Sequence, residues 1–411
     1  MKLAGITPGT SHQRRLSTTR KRVIVGLEID HLLKNATLQI LAILMTLCLP
    51  SIAHGQSAPY PQSTVITGWD VDFDSRIKVA VGSDNFPVTW GDDNKQYTSW
   101  GDGCGFISTD CKFGSLRFKW GVSSITGAVD DFVGQNLASG NVSPPGKSYG
   151  MVSVGGVLYQ WFGPGSCNEF FDYTQLAMST DHGTTWSIAS WDFKRSDSIF
   201  NPGILNFGKD YAGARDNYVY HYFIADGGAC TITIPGNIVL ARVPRDDVML
   251  KGAYEFFSGT ASAPSWSTEL TDAQPVFHDP AGVGWTISVS YNPVVKRYLL
   301  ITDHGPANQL GTGRAGLFDA PEPWGPWTTV DYWDDWGGYN GEFFYYNFSN
   351  KWTSEYGLPE DFVIISTGCC DTANEWAMNI HKGRFILGTG TGTDTTPPNA
   401  PQNVRLSPGT Q

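Results

Sequence analysis

Charge is scarce in this chain: Asp, Glu, Lys and Arg make up 16% of its 411 residues, against about a quarter in an ordinary soluble protein. Together with 41% hydrophobic residues, that scarcity argues against a disordered chain and against a coiled coil or helical bundle. Basic residues are the scarcer sign, and the net charge is −11. This balance disfavours nucleic acid and anionic membrane surfaces and suits a neutral or cationic partner. Long apolar runs are missing too. The stretch 38–53 is sixteen residues broken by Gln39, Thr46 and Pro50, short of the roughly 20 that span a bilayer. No cysteine pair stands at zinc-ligand spacing with histidines, which weakens a structural metal. What is abundant is Gly (47), Phe (22), Tyr (17) and Trp (15), the mixture of short strands and tight turns.

Residues 1–55 read as a signal peptide. Arg14, Arg15, Arg20, Lys21 and Arg22 precede the apolar run, and Ala53-His54-Gly55 supplies small residues at the usual cleavage spacing, so cleavage is expected before Gln56. Without the leader the charge is near −16. A secreted or cell-surface location follows, extracellular or periplasmic, with no stable membrane insertion after cleavage. Six cysteines remain beyond the leader: Cys104, Cys111, Cys167, Cys230, Cys369 and Cys370. An even number in an exported chain implies bridges. Cys104 and Cys111 can close one loop, Cys167 and Cys230 can staple neighbouring units, and Cys369-Cys370 forms either a strained vicinal pair or bonds elsewhere.

The chain repeats one pattern five times: an apolar strand, a turn, an aromatic-rich strand, then a knot of small residues. The knots are W-G-D-G at 100–103, F-G-P-G at 162–165, A-D-G-G at 225–228, T-D-H-G at 302–305 and T-G-C-C at 367–370. Their second residues lie 62, 63, 77 and 65 positions apart. A unit of roughly sixty residues with about four strands is a propeller blade, so the fold class is an all-β, five-bladed β-propeller. S-T-D-H-G-T-T-W at 179–186 resembles the Asp box of sialidase-type propellers, in which the Asp caps a hairpin turn and the Trp packs between strands. No obvious set of three arginines follows the blade openings to clamp a sugar carboxylate, Arg195, Arg242 and Arg314 being the exceptions to test, which speaks against a sialidase.

Hairpin geometry puts the residue before a first strand and the residue after the second at one end. Asp84 and Asp102, eighteen positions apart, are therefore expected to be neighbours. The same rim should gather Trp100, Asp226, Asp303, His304, Glu342 and Asp371 as substrate-binding groups. Glycoside hydrolysis needs paired carboxyls, one donating a proton to the leaving oxygen and one acting as base or nucleophile. Turn capping and a calcium site are the other roles open to Asp84 and Asp102. Calcium needs six or more oxygen ligands, which an acidic rim can offer, and no cofactor is otherwise required.

G-S-D-N-F-P-V-T-W, Q-Y-T-S-W-G-D-G-C-G-F, N-F-G-K-D-Y-A-G-A-R-D-N-Y-V-Y and G-C-C-D-T-A-N-E-W resemble blocks of the exported domain-of-unknown-function 4185 family, over about 67–387. The resemblance implies a five-bladed propeller, and some relatives are glycoside hydrolase family 183 endo-D-arabinanases, with catalytic acids at positions matching Asp84 and Asp102. The expected organisation is a signal peptide over 1–55, a short linker over 56–66, the propeller over 67–388, a Thr/Gly/Pro linker over 389–400, and over 401–411 the first strand of a truncated fibronectin type III-like module. The expected activity is hydrolysis of a polysaccharide, an arabinofuranose polymer among the candidates. The alternative is a non-catalytic propeller that binds glycans or cell surfaces.

Overall fold

Each of the five knots begins at the C-terminal end of the second strand of an antiparallel sheet. The computed structural model describes residues 57–107, 118–139, 146–163, 173–226, 231–284, 286–306, 313–339, 343–368 and 376–389. The leader, Cys111, Cys167, Cys230, Cys369, Cys370, Glu342, Asp371, the linker beyond 389 and the 401–411 module lie outside the described residues.

After β1 (Ile66–Val79), blade one is β2 (Val88–Trp90), β3 (Gln96–Gly103), β4 (Phe118–Thr126) and β5 (Val133–Ser139). Blade two is β6 (Lys147–Val154), β7 (Val157–Gly163), β8 (Tyr173–Ser179) and β9 (Ser187–Lys194). Blade three is β10 (Ile199–Ile204), β11 (Tyr218–Ala225), β12 (Gly236–Pro244) and β13 (Glu255–Phe257), extended by β14 (Trp266–Ser267) and β15 (Pro275–Asp279). Those two extra strands account for the long 77-residue interval. Blade four is β16 (Ile287–Asn292), β17 (Arg297–Asp303), β18 (Ala315–Ala320) and β19 (Thr328–Trp333). Blade five takes β20 (Phe343–Phe348), β21 (Asp361–Gly368) and β22 (Ala377–Leu387), with helix α1 (Asn350–Glu355) between β20 and β21.

The outermost strand of blade five is β1, paired with β22 from Ile66↔Leu387 to Val79↔Met378. The repeat pattern did not reveal this closure, because β1 belongs to no hairpin of its own. Pairing the start of the propeller with its end joins blade five to blade one covalently through the chain.

The inner strands pack around one axis, and polar side chains stitch them together. Asn206 receives a hydrogen bond from Thr89 Oγ1 (2.8 Å) and donates to the Met151 carbonyl (3.1 Å), and its backbone bonds Val289 of blade four. Asn347 Nδ2 donates to the Phe86 carbonyl at 3.3 Å, linking blade five to blade one. Inner strands also share a bulge: Ser148/Met151, Phe200/Gly203 and Phe344/Asn347 each mark a register shift. Blade one repeats it, since Asp84 pairs with Gly101 but Val88 with Thr98. The extra residue bends each strand near one end of the axis and re-aims the side chains there. Asn85, Asn201 and Tyr345, all at φ near +50°, occupy these bulges.

The turn at 179–186 behaves as its residues demand. Asp181 accepts from Ser179 Oγ (2.8 Å), the Thr185 N–H (2.8 Å) and Thr185 Oγ1 (2.6 Å), while Trp186 packs edge-on against Trp120 at 5.5 Å. Trp161, 0% exposed, donates from Nε1 to Nδ1 of fully buried His221 at 2.9 Å. Burial pushes the His221 imidazole down to about 3. The folded-state value lies below the unfolded one, so this contribution is complete above about pH 6.5 and is lost as pH falls towards 3. In urea unfolding between pH 6.5 and 4, His221→Gln should lower the slope of stability against pH by about 1.4 kcal/mol per unit relative to wild type. The comparison cancels the opposing contributions of Asp279 and Asp303, whose carboxyls are raised by burial. Identical slopes would mean that His221 takes up its proton in the folded state.

Candidate active site at the rim of blade one

Two glycines decide which strand delivers a carboxylate. In blade one Asp84 pairs with Gly101 through N–H···O bonds of 2.9 and 2.7 Å. A Cβ on Gly101 would stand 2.6 Å from Asp84 Oδ1, so only glycine leaves room for the acid. Blade four inverts this arrangement: the Gly284 N–H bonds the Asp303 carbonyl at 2.7 Å, and a Cβ on Gly284 would meet the Asp303 side chain at 2.5 Å. The acid comes from the first strand in one blade and from the second in the other. Gly101→Ala should displace Asp84 and lower stability by about 1–3 kcal/mol in urea unfolding; an unchanged unfolding midpoint would show that the strand pair can make room for the added methyl.

Asp102 follows Gly101 at φ +47°. Asp84 and Asp102 both meet the ammonium of Lys147, at the first position of β6: Asp84 Oδ2 lies 3.5 Å from Nζ, and Asp102 Oδ2 is hydrogen-bonded to it. The structure thus brings the two acids together across eighteen residues of sequence. Their exposures differ, with side chains 10% exposed for Asp84 and 34% for Asp102. Burial pulls the Lys147 ammonium down, but the attraction of Asp84 and then of Asp102 outweighs it, and its pKa stands above the ordinary lysine value. Lys147 therefore remains a cation. Asp84 and Asp102 thus share one ammonium, that of Lys147.

Lys147 has no counterpart among the sequence-derived candidates. The signal was present: it opens an inner strand, as Asp84 does, and the same hairpin rule applied to blade two points to it. Tyr149, two residues on, is 1% exposed. Burial, then Tyr345 and Asp84, hold its hydroxyl well above the usual range, so it keeps its proton.

Several expected rim groups are elsewhere. Trp100 is 0% exposed and donates from Nε1 to Ser123 Oγ at 2.8 Å, which makes it core and removes it as a sugar platform. His304, also 0% exposed, stacks on Tyr332 at 3.7 Å with Nε2 3.1 Å from the Trp333 carbonyl, and burial lowers its pKa to about 4. Asp303 is 1% exposed beside Thr286 Oγ1 (3.4 Å), and burial raises its carboxyl well above the usual range. Trp100, Asp303 and His304 are therefore buried side chains at the strand ends, where exposed rim groups were expected. Asp226 follows β11 at φ +59° and is exposed, with its N–H on the Ser198 carbonyl at 2.9 Å. Among the described residues, the acid–imidazole group within mutual ligand reach is Asp92, Asp93 and His182, in turns remote from this rim. There Asp92 pairs with His182 at 2.7 Å, and Asp93 with Lys95 at 2.9 Å and the Tyr97 hydroxyl at 2.7 Å. Cys104 is disulfide-bonded.

The family described as Domain of unknown function (DUF4185) matches residues 151–356. No curated protein matches the chain. Similar solved structures include a GH43_1 enzyme from Xanthomonas citri, 11% identical, covering 75% of this chain and 91% of that one at TM-score 0.45. Bombyx mori GH32 beta-fructofuranosidase BmSUC1 is 12% identical over 76% of this chain and 62% of its own, at TM-score 0.44. Trypanosoma rangeli sialidase in complex with sialic acid is 13% identical over 74% and 44%, at TM-score 0.36. At these values the likeness is one of architecture and carries no argument about activity.

Proposed function

This chain belongs to the domain-of-unknown-function family DUF4185, and on that premise we propose that it is an exported glycoside hydrolase acting on a polysaccharide, with Asp84 and Asp102 as the reacting pair. The observation that carries the reading is the convergence of both acids on one buried ammonium at the rim of blade one. One carboxyl donates a proton to the glycosidic oxygen as the bond breaks. The other activates water or attacks the anomeric carbon. The paired carboxylates offer negative charge to the positive charge that builds on the sugar ring in the oxocarbenium-like transition state. Lys147 is a positioning residue: it fixes two acids from different strands and limits their mutual repulsion. The half-open Asp102 is the group that meets solvent and substrate first.

An arabinofuranose polymer is the first substrate to try, on the resemblance of the first-blade motifs. Export is supported by the basic and apolar leader, and calcium remains an addition to test by chelation. The deciding experiment incubates the processed protein with a panel of neutral furanose- and pyranose-containing polysaccharides and measures released reducing ends. Release from at least one is expected. Binding to a polysaccharide with no turnover on any would replace this reading with the glycan-binding propeller.

A further inference from the structure

The opposite mouth of the propeller axis carries a cavity of about 430 Å³, inside the roughly 300–1,000 Å³ range of small-molecule sites. Its lining comes from the first-to-second-strand connections of blades one, three, four and five. Trp90 ends β2, Phe207 follows β10, Tyr291 ends β16 near its turn, and Phe348 and Tyr356 flank α1. Asp84 pairs with Gly101 at the knot end of β3, whereas Trp90 pairs with Gln96 beside the β2–β3 turn at the other end of that strand. This is therefore a separate place from the carboxylate rim.

The chemistry of the lining is selective. Not one Asp, Glu, Lys, Arg or His lines it, so nothing there would compensate an ionic ligand's lost hydration. Aromatic rings approach from four blades, and between them sit hydroxyls and amides. Ser290 is 5% exposed, and its Oγ has no hydrogen-bond partner among the described residues. Asn292 is 6% exposed and spends Oδ1 on the Val294 N–H at 2.9 Å, leaving its Nδ2 donors without a partner among the described residues. Polar side chains that line a cavity offer hydrogen bonds that a ligand can complete. Apolar ring faces beside neutral donors and acceptors match a ligand with flat C–H faces and peripheral hydroxyls.

We propose that this cavity is a non-catalytic site for a neutral saccharide, the end or a branch of a glycan held away from the cutting face. A plain apolar ligand would leave Ser290 and Asn292 unsatisfied. The site goes beyond the hydrolase reading and does not depend on it: a purely binding propeller would use it equally.

The test uses the processed Asp102→Asn protein, so that no ligand is consumed, titrated with neutral linear pento- and hexo-oligosaccharides by calorimetry and tryptophan fluorescence. Binding is expected, and Trp90→Ala should weaken it about tenfold or more, the value of one stacked ring and its buried area. Because Trp90 is also a residue of β2, a second variant replaces the 54% exposed Leu358 at the cavity edge: Leu358→Arg places a cation in an uncharged pocket. It should abolish the same binding while the unfolding midpoint stays unchanged, and Leu358→Arg made in the otherwise wild-type protein should leave any polysaccharide cleavage at the other rim unchanged. Three results would overturn the proposal: no saccharide binding, saccharide binding indifferent to both variants, or binding of a medium-chain alcohol alone. The hydrolase reading fails separately, through absent turnover.

Discussion

Asp102→Asn and Asp84→Asn should each lower polysaccharide cleavage by about 10³-fold with KM little changed. The amide keeps the shape of the carboxyl but can neither take nor give the proton, so the loss falls on the chemical step and shows in kcat. The two variants should differ in stability. Asp102 is 34% exposed on its side chain, and its replacement leaves Lys147 still facing Asp84, so the unfolding midpoint should hardly move. Asp84 is 10% exposed and sits against the backbone of Gly101, so its amide variant should unfold a few degrees lower while keeping the same fold by circular dichroism. Cleavage within tenfold of wild type in both variants, on a polysaccharide that the native protein degrades, would sink the assignment of the pair.

Lys147→Met should be the most destabilising single change at the rim. The lysine side chain is 6% exposed, and methionine matches its stem while removing the charge. That leaves Asp84 in a buried position beside Asp102 without the ammonium they share. Removing one partner of a buried ion pair costs about 3–5 kcal/mol, most of it the price of the orphaned charge. The double variant Lys147→Met/Asp84→Asn removes that orphan and should recover more than half of the loss, a non-additivity expected of groups in direct contact. Urea unfolding at pH 7 of the single and double variants measures both effects. A Lys147→Met loss below about 1 kcal/mol, or a double variant less stable than the single, would mean that Lys147 does not hold the acids.

How much of this was legible in the chain varies by residue. Knots, turns and hairpins are local, so W-G-D-G and T-D-H-G could be assigned to strand ends from spacing alone. Asp84 and Asp102 were within reach because one hairpin connects them, and two flanks of a hairpin share an end whatever else the fold does. Lys147 lies 45 positions beyond Asp102 and meets it only because blade two stacks beside blade one. Trp100, Asp303 and His304 stand in the same kind of position as their exposed neighbours. Whether such a residue turns to the channel or into a seam depends on the bulge and on the packing of the next blade, which no single repeat contains.

The sequence by itself determined the strand period, the fivefold repeat and the turn chemistry, because these follow from residues a few positions apart: glycine where φ must be positive or space is short, Asp where a turn needs a cap. Only the tertiary structure decided the closure of the ring through β1, the capture of two acids by a lysine from another blade, and the uncharged cavity at the far mouth. Each of these joins side chains from separate sheets, and the free energy that places them comes from burying blade against blade, an interaction absent from any one segment of the chain.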